Sequence, residues 1–460
     1  GPGNFWIEKS ALSTLFANLK INDHIDYRQA VNLRYQGVDW TSHNIQNNTS
    51  RFQNIVREHV QSVSRAVTLQ GDLFAKYDLR WFSTSTLLGW QYQYAYGKNN
   101  SEAGVPLDPA YARLDLLAWS LDPDGYFSRP REITNRRLTV NDTASSRNLG
   151  TYVQEELGFF QDRLKLSGGI RSDKDRERRV RKVSGGVKAY TGSVLNSWRY
   201  GATFKILPRL VAYGVKSIQN DAPFTGAEYV ATALPPGDPR RDIFLNKPRS
   251  NDLTEFGLKG DLLDGRVTAT VAYWKLARTN NSFSFTFDEA FTNALGQPAT
   301  RAITRQLFAD AETSGYEVEV FGALTDRLSI IGSYVDMDSR EANPLALGQT
   351  RPLRFAPEWN FNLFLKYSLR DSRGHGWALK GGTNWIGPVT LQIVNGESSP
   401  LSPGGRYRLP KNQHTFDLGA GYAWSRYELD LFCSNVGSDY FYVTRSNPLR
   451  TFRATFTAKF

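Results

Sequence analysis

The side chains best equipped for binding chemistry in this sequence are cations and aromatic rings. Arg171, Lys174, Arg176, Arg178, Arg179, Arg181 and Lys182 form its densest run of charge. Guanidinium groups match phosphate and carboxylate geometry, so Arg176, Arg178, Arg179 and Arg181 make a candidate patch for an anionic partner. Asp173, Asp175 and Glu177 neutralise part of the run, and a solvated strand end is the competing reading. A second set places rings beside Arg and Pro. It comprises Tyr126, Phe127 and Arg129 within Asp122–Arg131, Phe224 after Pro223, and Tyr442 with Arg445. Stacking and cation–π contacts from such groups suit a planar, anionic ligand, although ordinary loop packing is the leading alternative for any single one of them.

Other chemistry finds less support. The five histidines, His24, His43, His59, His375 and His414, form no i, i+4 ligand pair and no HExxH, so they read as solvated side chains rather than metal ligands. A single Cys433 excludes an internal disulfide framework and a cysteine-based zinc site. No phosphate-cradling GxxxxGK[ST] occurs, no serine sits in a nucleophile elbow, and the adjacent Glu155 and Glu156 are no dyad signature. The expectation is a protein that is not an enzyme, with no cofactor and no resident metal.

The elements that must carry these groups are strands. From Thr451 to Phe460, Phe452, Ala454, Phe456, Ala458 and Phe460 alternate strictly with Thr451, Arg453, Thr455, Thr457 and Lys459. Phe416 to Trp424, Trp359 to Tyr367, Tyr316 to Val320 and Val267 to Tyr273 repeat the pattern, which gives one apolar and one polar face. No long segment has a helical period. Short turns (160–163, 206–209, 263–266, 324–327, 423–426) alternate with long polar segments at about 39–63, 98–146, 174–196, 220–249, 281–307, 339–352, 390–412 and 437–449. A soluble β-sandwich does not segregate its connections so regularly, whereas a transmembrane antiparallel β-barrel does. A barrel also reconciles a mean hydropathy of −0.46 with a membrane location, because only one face of each strand meets lipid. About seventeen strands, within a range of 16–18, can be placed. Trp274, Tyr334, Tyr367 and Trp424 lie where interfacial girdles are expected. The net charge of +11 favours anionic partners such as lipopolysaccharide; nucleic acid fits the charge but not the location.

Several segments resemble one family. Glu255-Phe256-Gly257-Leu258-Lys259, followed by Asp264-Gly265-Arg266 and the strand Val267–Trp274, is similar to a hairpin of TonB-dependent outer-membrane receptors. Ser314–Glu319 with Leu324–Leu328 resembles their next hairpin, and Ala356-Pro357-Glu358-Trp359 the start of a later strand. Asn435-Val436-Gly437-Ser438-Asp439 stands near the end with Val436 in place of Leu. Thr151–Glu156 and Leu166–Arg171 resemble the ferric-siderophore branch, and Phe460 matches the terminal aromatic of outer-membrane proteins. The resemblance implies a 22-stranded barrel closed by an N-terminal plug. It further implies a multi-pass outer-membrane location and import of a scarce solute, in the first place a ferric siderophore, with energy from the TonB complex. Residues 1–460 are then expected to be the barrel domain, N-terminally truncated, without plug, TonB box or first strands, and monomeric. A passive porin of 16–18 strands, a receptor for cobalamin, haem or oligosaccharide, and a surface adhesin are the alternatives.

Overall fold

The computed structural model describes residues 5–46, 52–106, 113–115, 133–183, 186–192, 194–221, 248–292, 298–342, 349–353, 355–393, 406–409, 413–439 and 449–459. The strands run in chain order as β1 (Phe5–Lys20), β2 (Ile25–Gln46), β3 (Phe52–Asp78), β4 (Phe82–Pro106), β5 (Arg113–Asp115), β6 (Ile133–Phe159), β7 (Leu164–Arg181), β8 (Gly186–Thr191), β9 (Leu195–Leu207), β10 (Leu210–Asp221) and β11 (Arg249–Leu262). They continue as β12 (Val267–Thr292), β13 (Pro298–Ala323), β14 (Leu328–Ala342), β15 (Thr350–Pro352), β16 (Trp359–Arg370), β17 (Gly376–Ile386), β18 (Val389–Ile393), β19 (Arg406–Leu409), β20 (Gln413–Trp424), β21 (Tyr427–Ser434) and β22 (Thr451–Ala458). Twenty belong to one sheet, and β18 with β19 forms a separate ribbon. Setting aside the five short strands β5, β8, β15, β18 and β19, seventeen long strands remain among the described residues, as the alternation predicts. No helix among the described residues is long and apolar enough to cross a membrane; strands are a separate matter.

Register carries the two-faced pattern from strand to strand. Phe452, Ala454 and Phe456 of β22 face Cys433, Leu431 and Leu429 of β21. Those residues in turn face Leu418, Ala420 and Tyr422 of β20. The opposite face pairs Arg453 with Phe432 and Thr455 with Asp430. Because the side-chain period is two, a one-residue slip would exchange the faces, so the pattern fixes the register. The apolar face is not covered within the chain: Leu418 is 57% exposed, Phe456 60% and Tyr316 62%. The buried apolar residues are few and small, Val267 and Val389 being the largest that are fully enclosed. A sandwich would bury this face against a second sheet. An apolar face left bare over so many strands requires an apolar solvent, which is the arrangement of a membrane barrel.

Aromatic rings mark two levels of that face. Near the short turns, Trp377 lies tilted against Tyr422 at 4.9 Å and Tyr427 stacks against Phe456 at 5.7 Å. Farther up, Tyr273 meets Tyr316 at 5.1 Å and Trp385 meets His414 at 4.8 Å. Tyr334, Tyr367 and Trp424 stand on this face, as expected of girdles. Trp274 does not: Tyr273 pairs with Phe256 and Tyr316 on the apolar side, and Trp274 turns to the polar side opposite Glu255 and Gly315. The pleat, rather than ring type, decides the face.

The short connections are tight turns. Phe160, Gln161 and Asp162 all have positive φ, as do Leu263, Asp264, Gly265 and Ser425. The long polar segments differ from the loop reading, because much of their length is strand. β2 and β3 stay paired out to Gln46 and Asn54, and β12 and β13 out to Thr292 and Pro298, with a register shift between Arg278 and Asn281. Outside an apolar layer a ladder needs only its backbone hydrogen bonds, so polar composition does not end it.

By compactness the chain divides into two units. One holds residues 1–78, 84–155 and 169–196, the other 79–83, 156–168 and 197–460.

Candidate functional site

The polar face holds ladders of matched charges and amides. In the first unit, Arg171 on β7 donates to both carboxylate oxygens of Asp173 (2.7 and 2.8 Å) and to Gln91 on β4 (3.1 Å). Its guanidinium lies 5.3 Å over the ring of Tyr152 on β6. The Tyr152 hydroxyl donates to Asp72 on β3, and Gln70 donates to Asp72 at 2.9 Å. Asn148 donates to Asp175 at 2.8 Å. Room for the Tyr152 ring comes from Gly89, where an added Cβ would stand 2.4 Å from ring carbons. In the second unit, Tyr213 donates to Glu255 at 2.8 Å, Arg370 to Glu428 at 2.5 Å, and Lys380 to Asp430.

These pairings make a wet wall that matches many of its own charges. Glu155 and Glu156 illustrate the point. The pleat sends them to opposite faces, where Glu155 accepts from Thr86 at 2.6 Å and Glu156 from Lys165 at 2.8 Å. His375 lies in the turn closed by Asp371 N–H donating to its carbonyl, and His414 stacks on Trp385. Among the described residues, no group of His, Cys, Asp and Glu is arranged to hold a metal ion.

The pleat also divides the basic run. Lys174, Arg176 and Arg178 stand exposed on the face that carries Leu166 and Ile170 lower in β7. Arg179 stands on the other face, half-buried, 3.6 Å from Glu177. Arg181 ends the strand opposite Gly186. Tyr126, Phe127, Arg129, Phe224, Tyr442 and Arg445 lie outside the described residues.

Two carboxylates at the ends of strands are tuned by their neighbours. A hydrogen bond with the His59 ring at 2.7 Å holds the Asp39 carboxyl below its usual range, with Gln61 assisting at 3.1 Å. Arg209, 2.7 Å away, does the same to Asp264 in the β11–β12 turn. Sequence reasoning missed the Tyr152–Asp72–Gln70 cluster. Tyr152 is some eighty residues from Gln70 and Asp72, and the signal was only that all three occupy polar-face positions.

Comparison with known proteins agrees with this architecture. Residues 4–436 match the family described as TonB dependent receptor-like, beta-barrel. The metal-pseudopaline receptor CntO of Pseudomonas aeruginosa is 26% identical over 133 residues, which is 29% of this chain and 17% of that protein. The ferripyoverdine receptor of the same organism is 25% identical over 183 residues, 39% of this chain and 21% of that one. The crystal structure of the ferric-catecholate import receptor Fiu from E. coli superimposes with a TM-score of 0.75 at 17% identity, covering all of this chain and 65% of that one. The ferripyoverdine receptor bound to ferripyoverdine also gives 0.75, at 15% identity, over 99% of this chain and 56% of that one. The chain thus spans less than two thirds of these relatives.

Proposed function

Because this chain belongs to the TonB-dependent receptor β-barrel family, we propose that it forms the wall of an outer-membrane active transporter whose solute is a ferric siderophore. The observation that carries the reading is the family match over residues 4–436. Two neighbours add support, since they share the fold and are described as a ferric-catecholate import receptor and an outer-membrane ferripyoverdine receptor. The polar face then lines the path of the solute, and the apolar face spans the membrane as a multi-pass monomer.

In this mechanism the barrel binds and guides without covalent chemistry. Rings and guanidinium groups at the external end, with Tyr126, Phe127, Arg129, Phe224, Tyr442 and Arg445 as candidates, hold a planar anionic chelate by stacking and charge. Ion pairs such as Arg171–Asp173 and Lys380–Asp430 keep the wall polar and stiff. Energy from the TonB complex would act through a plug and a TonB-contacting segment beyond these residues.

The test uses the whole gene product in its own host. Uptake of iron-55-labelled siderophores is measured with TonB present and deleted, and passive conductance is measured in planar bilayers. Saturable uptake that disappears without TonB, with no open conductance, is expected. Steady passive flux of small solutes would overturn the reading in favour of a porin.

A further inference from the structure

Transport makes no use of the charges on the apolar face of the first unit. On β6 that face presents Val153, Thr151, Leu149 and then Arg147, with Leu149 50% exposed. On β7 it presents Ile170, Ser172, Lys174, Arg176 and Arg178. The hydrogen bond from Lys182 N–H to the Asn141 carbonyl (2.9 Å) fixes the antiparallel register between these strands. Carried down the ladder, that register sets Arg147 directly opposite Arg176. Like charges so placed repel. The carboxylates of β7 bring no relief, because Asp173, Asp175 and Glu177 all stand on the polar face and Asp173 is committed to Arg171. Among the described residues, Arg147, Lys174, Arg176 and Arg178 have no ion-pair partner.

Rings support the same row. The Arg147 guanidinium lies 5.8 Å from the centre of Tyr94 on β4. On β3, Arg65 lies 5.9 Å from the centre of Tyr35 on β2. These cations are level along their strands: Arg147 and Arg176 each stand thirteen residues from the β6–β7 turn, and Arg65 stands thirteen before the end of β3. At about 3.3 Å per residue and a tilt of roughly 40°, thirteen residues climb roughly 33 Å. The apolar band of such a barrel is about 25 Å tall. The row therefore stands just above the hydrocarbon, outside the lumen, at the height of the outer-leaflet headgroups.

We propose that Arg65, Arg147, Lys174, Arg176 and Arg178 form a binding surface for the phosphates of an anionic glycolipid, the lipopolysaccharide of the outer leaflet. Phosphate supplies the counter-charge that β7 withholds from this face. Tyr35 and Tyr94 each stand beside one of the guanidinium groups, whose N–H edges can still make bidentate contact with phosphate. A soluble chelate captured here would be on the wrong side of the wall for import. The proposal rests on the membrane-spanning reading, but not on which solute is carried.

The test compares the full-length protein with the triple variant Arg147→Gln/Arg176→Gln/Arg178→Gln and with Arg179→Gln, which alters the same strand on its other face. Each is reconstituted in nanodiscs. Binding of lipid A and of its dephosphorylated form is then measured, with inorganic phosphate as competitor. Quenching of the intrinsic tryptophan fluorescence by brominated lipid reports insertion separately. Removing the three charges should weaken lipid A binding by on the order of fivefold per charge. Arg179→Gln should bind as the wild type does, and the dephosphorylated lipid should not distinguish the proteins. Equal binding of both lipids by the wild type would overturn the proposal, and that measurement remains available if the triple variant fails to fold. Complete displacement by millimolar inorganic phosphate would overturn it as well, by showing a site for free anions. Absence of any quenching by the brominated lipid would instead sink the membrane reading itself.

Discussion

β22 and β7 obey the same pleat and use it differently. Along β22 one face is Phe or Ala at every step from Phe452 to Ala458, and the other is polar throughout. β7 begins the same way, with Leu164, Leu166 and Ile170 on one face, but above Ser172 that face turns to Lys174, Arg176 and Arg178. Its polar face meanwhile keeps acid and base in balance with Arg171, Asp173, Asp175, Glu177 and Arg179. The difference is one of surroundings. A strand confined to the apolar layer needs one chemistry per face, and a strand that climbs out of it changes chemistry only where its environment changes. Along β7 the charges on the polar face find partners within the chain and those on the apolar face do not, although elsewhere that face pairs some of its own charges, as Lys275 with Glu312 and Asp338 with Arg340.

The sharpest way to break this contrast is to remove a partner from the polar face where it is most enclosed. Glu341 and Arg351 face each other across β14 and β15 at 2.7 Å, with side chains 4% and 7% exposed. Glu341→Ala strips a buried guanidinium of its carboxylate and should cost about 3–5 kcal/mol, read from the urea midpoint of refolding into vesicles. The double variant Glu341→Ala/Arg351→Met should recover most of that loss. If it recovers none, the pair is not the source of the stability.

A charge placed on the apolar face inside the band tests the other half of the contrast. Val271 pairs with Leu258 and Val318 on that face, while its neighbour Thr270 faces Lys259 and Glu319 on the other. Val271→Arg should destabilise by about 2–4 kcal/mol in bilayers. Thr270→Arg gains Glu319 as a neighbour and should cost less than about 1 kcal/mol. Equal costs would mean that the two faces are not distinguished by lipid.

The faces themselves were legible in the sequence wherever alternation was unbroken, as in β12, β16, β20 and β22, and the turns at 160–163 and 263–266 were legible from their residues. Trp274 was misplaced because ring type was weighed above its parity with Tyr273. The reach of β2, β3, β12 and β13 into polar sequence was hidden, since their outer ends are held by backbone ladders that leave no side-chain signature. The basic run was visible as density, and its division between faces followed from the same period of two. Pairings such as Tyr152 with Asp72 depend on which strands become neighbours, and no local pattern encodes that. The aromatic candidates Tyr126, Phe127, Arg129, Phe224, Tyr442 and Arg445 rest on the sequence alone.

The smallest effect is expected where the contrast fades, at the outer ends of β2 and β3. Asp39 and His59 lie above the level of Arg65, each partly open to solvent, and the Asp39 carboxyl is held low by the His59 hydrogen bond. A carboxylate with a depressed folded value contributes stability above its unfolded value, near 3.9, and loses it as pH falls through the folded one. The advantage of wild type over Asp39→Asn should therefore be present near neutrality and shrink below about pH 4. With Asp39 this exposed, solvent screening keeps the difference under about 1 kcal/mol. Melting profiles of the two proteins across that range read it directly. An advantage that grows on acidification would mean that the ionised form of Asp39 is not the stabilising one, and that the carboxylate and ring, which share the face of Tyr35 and Arg65, do not act as a matched pair of charges.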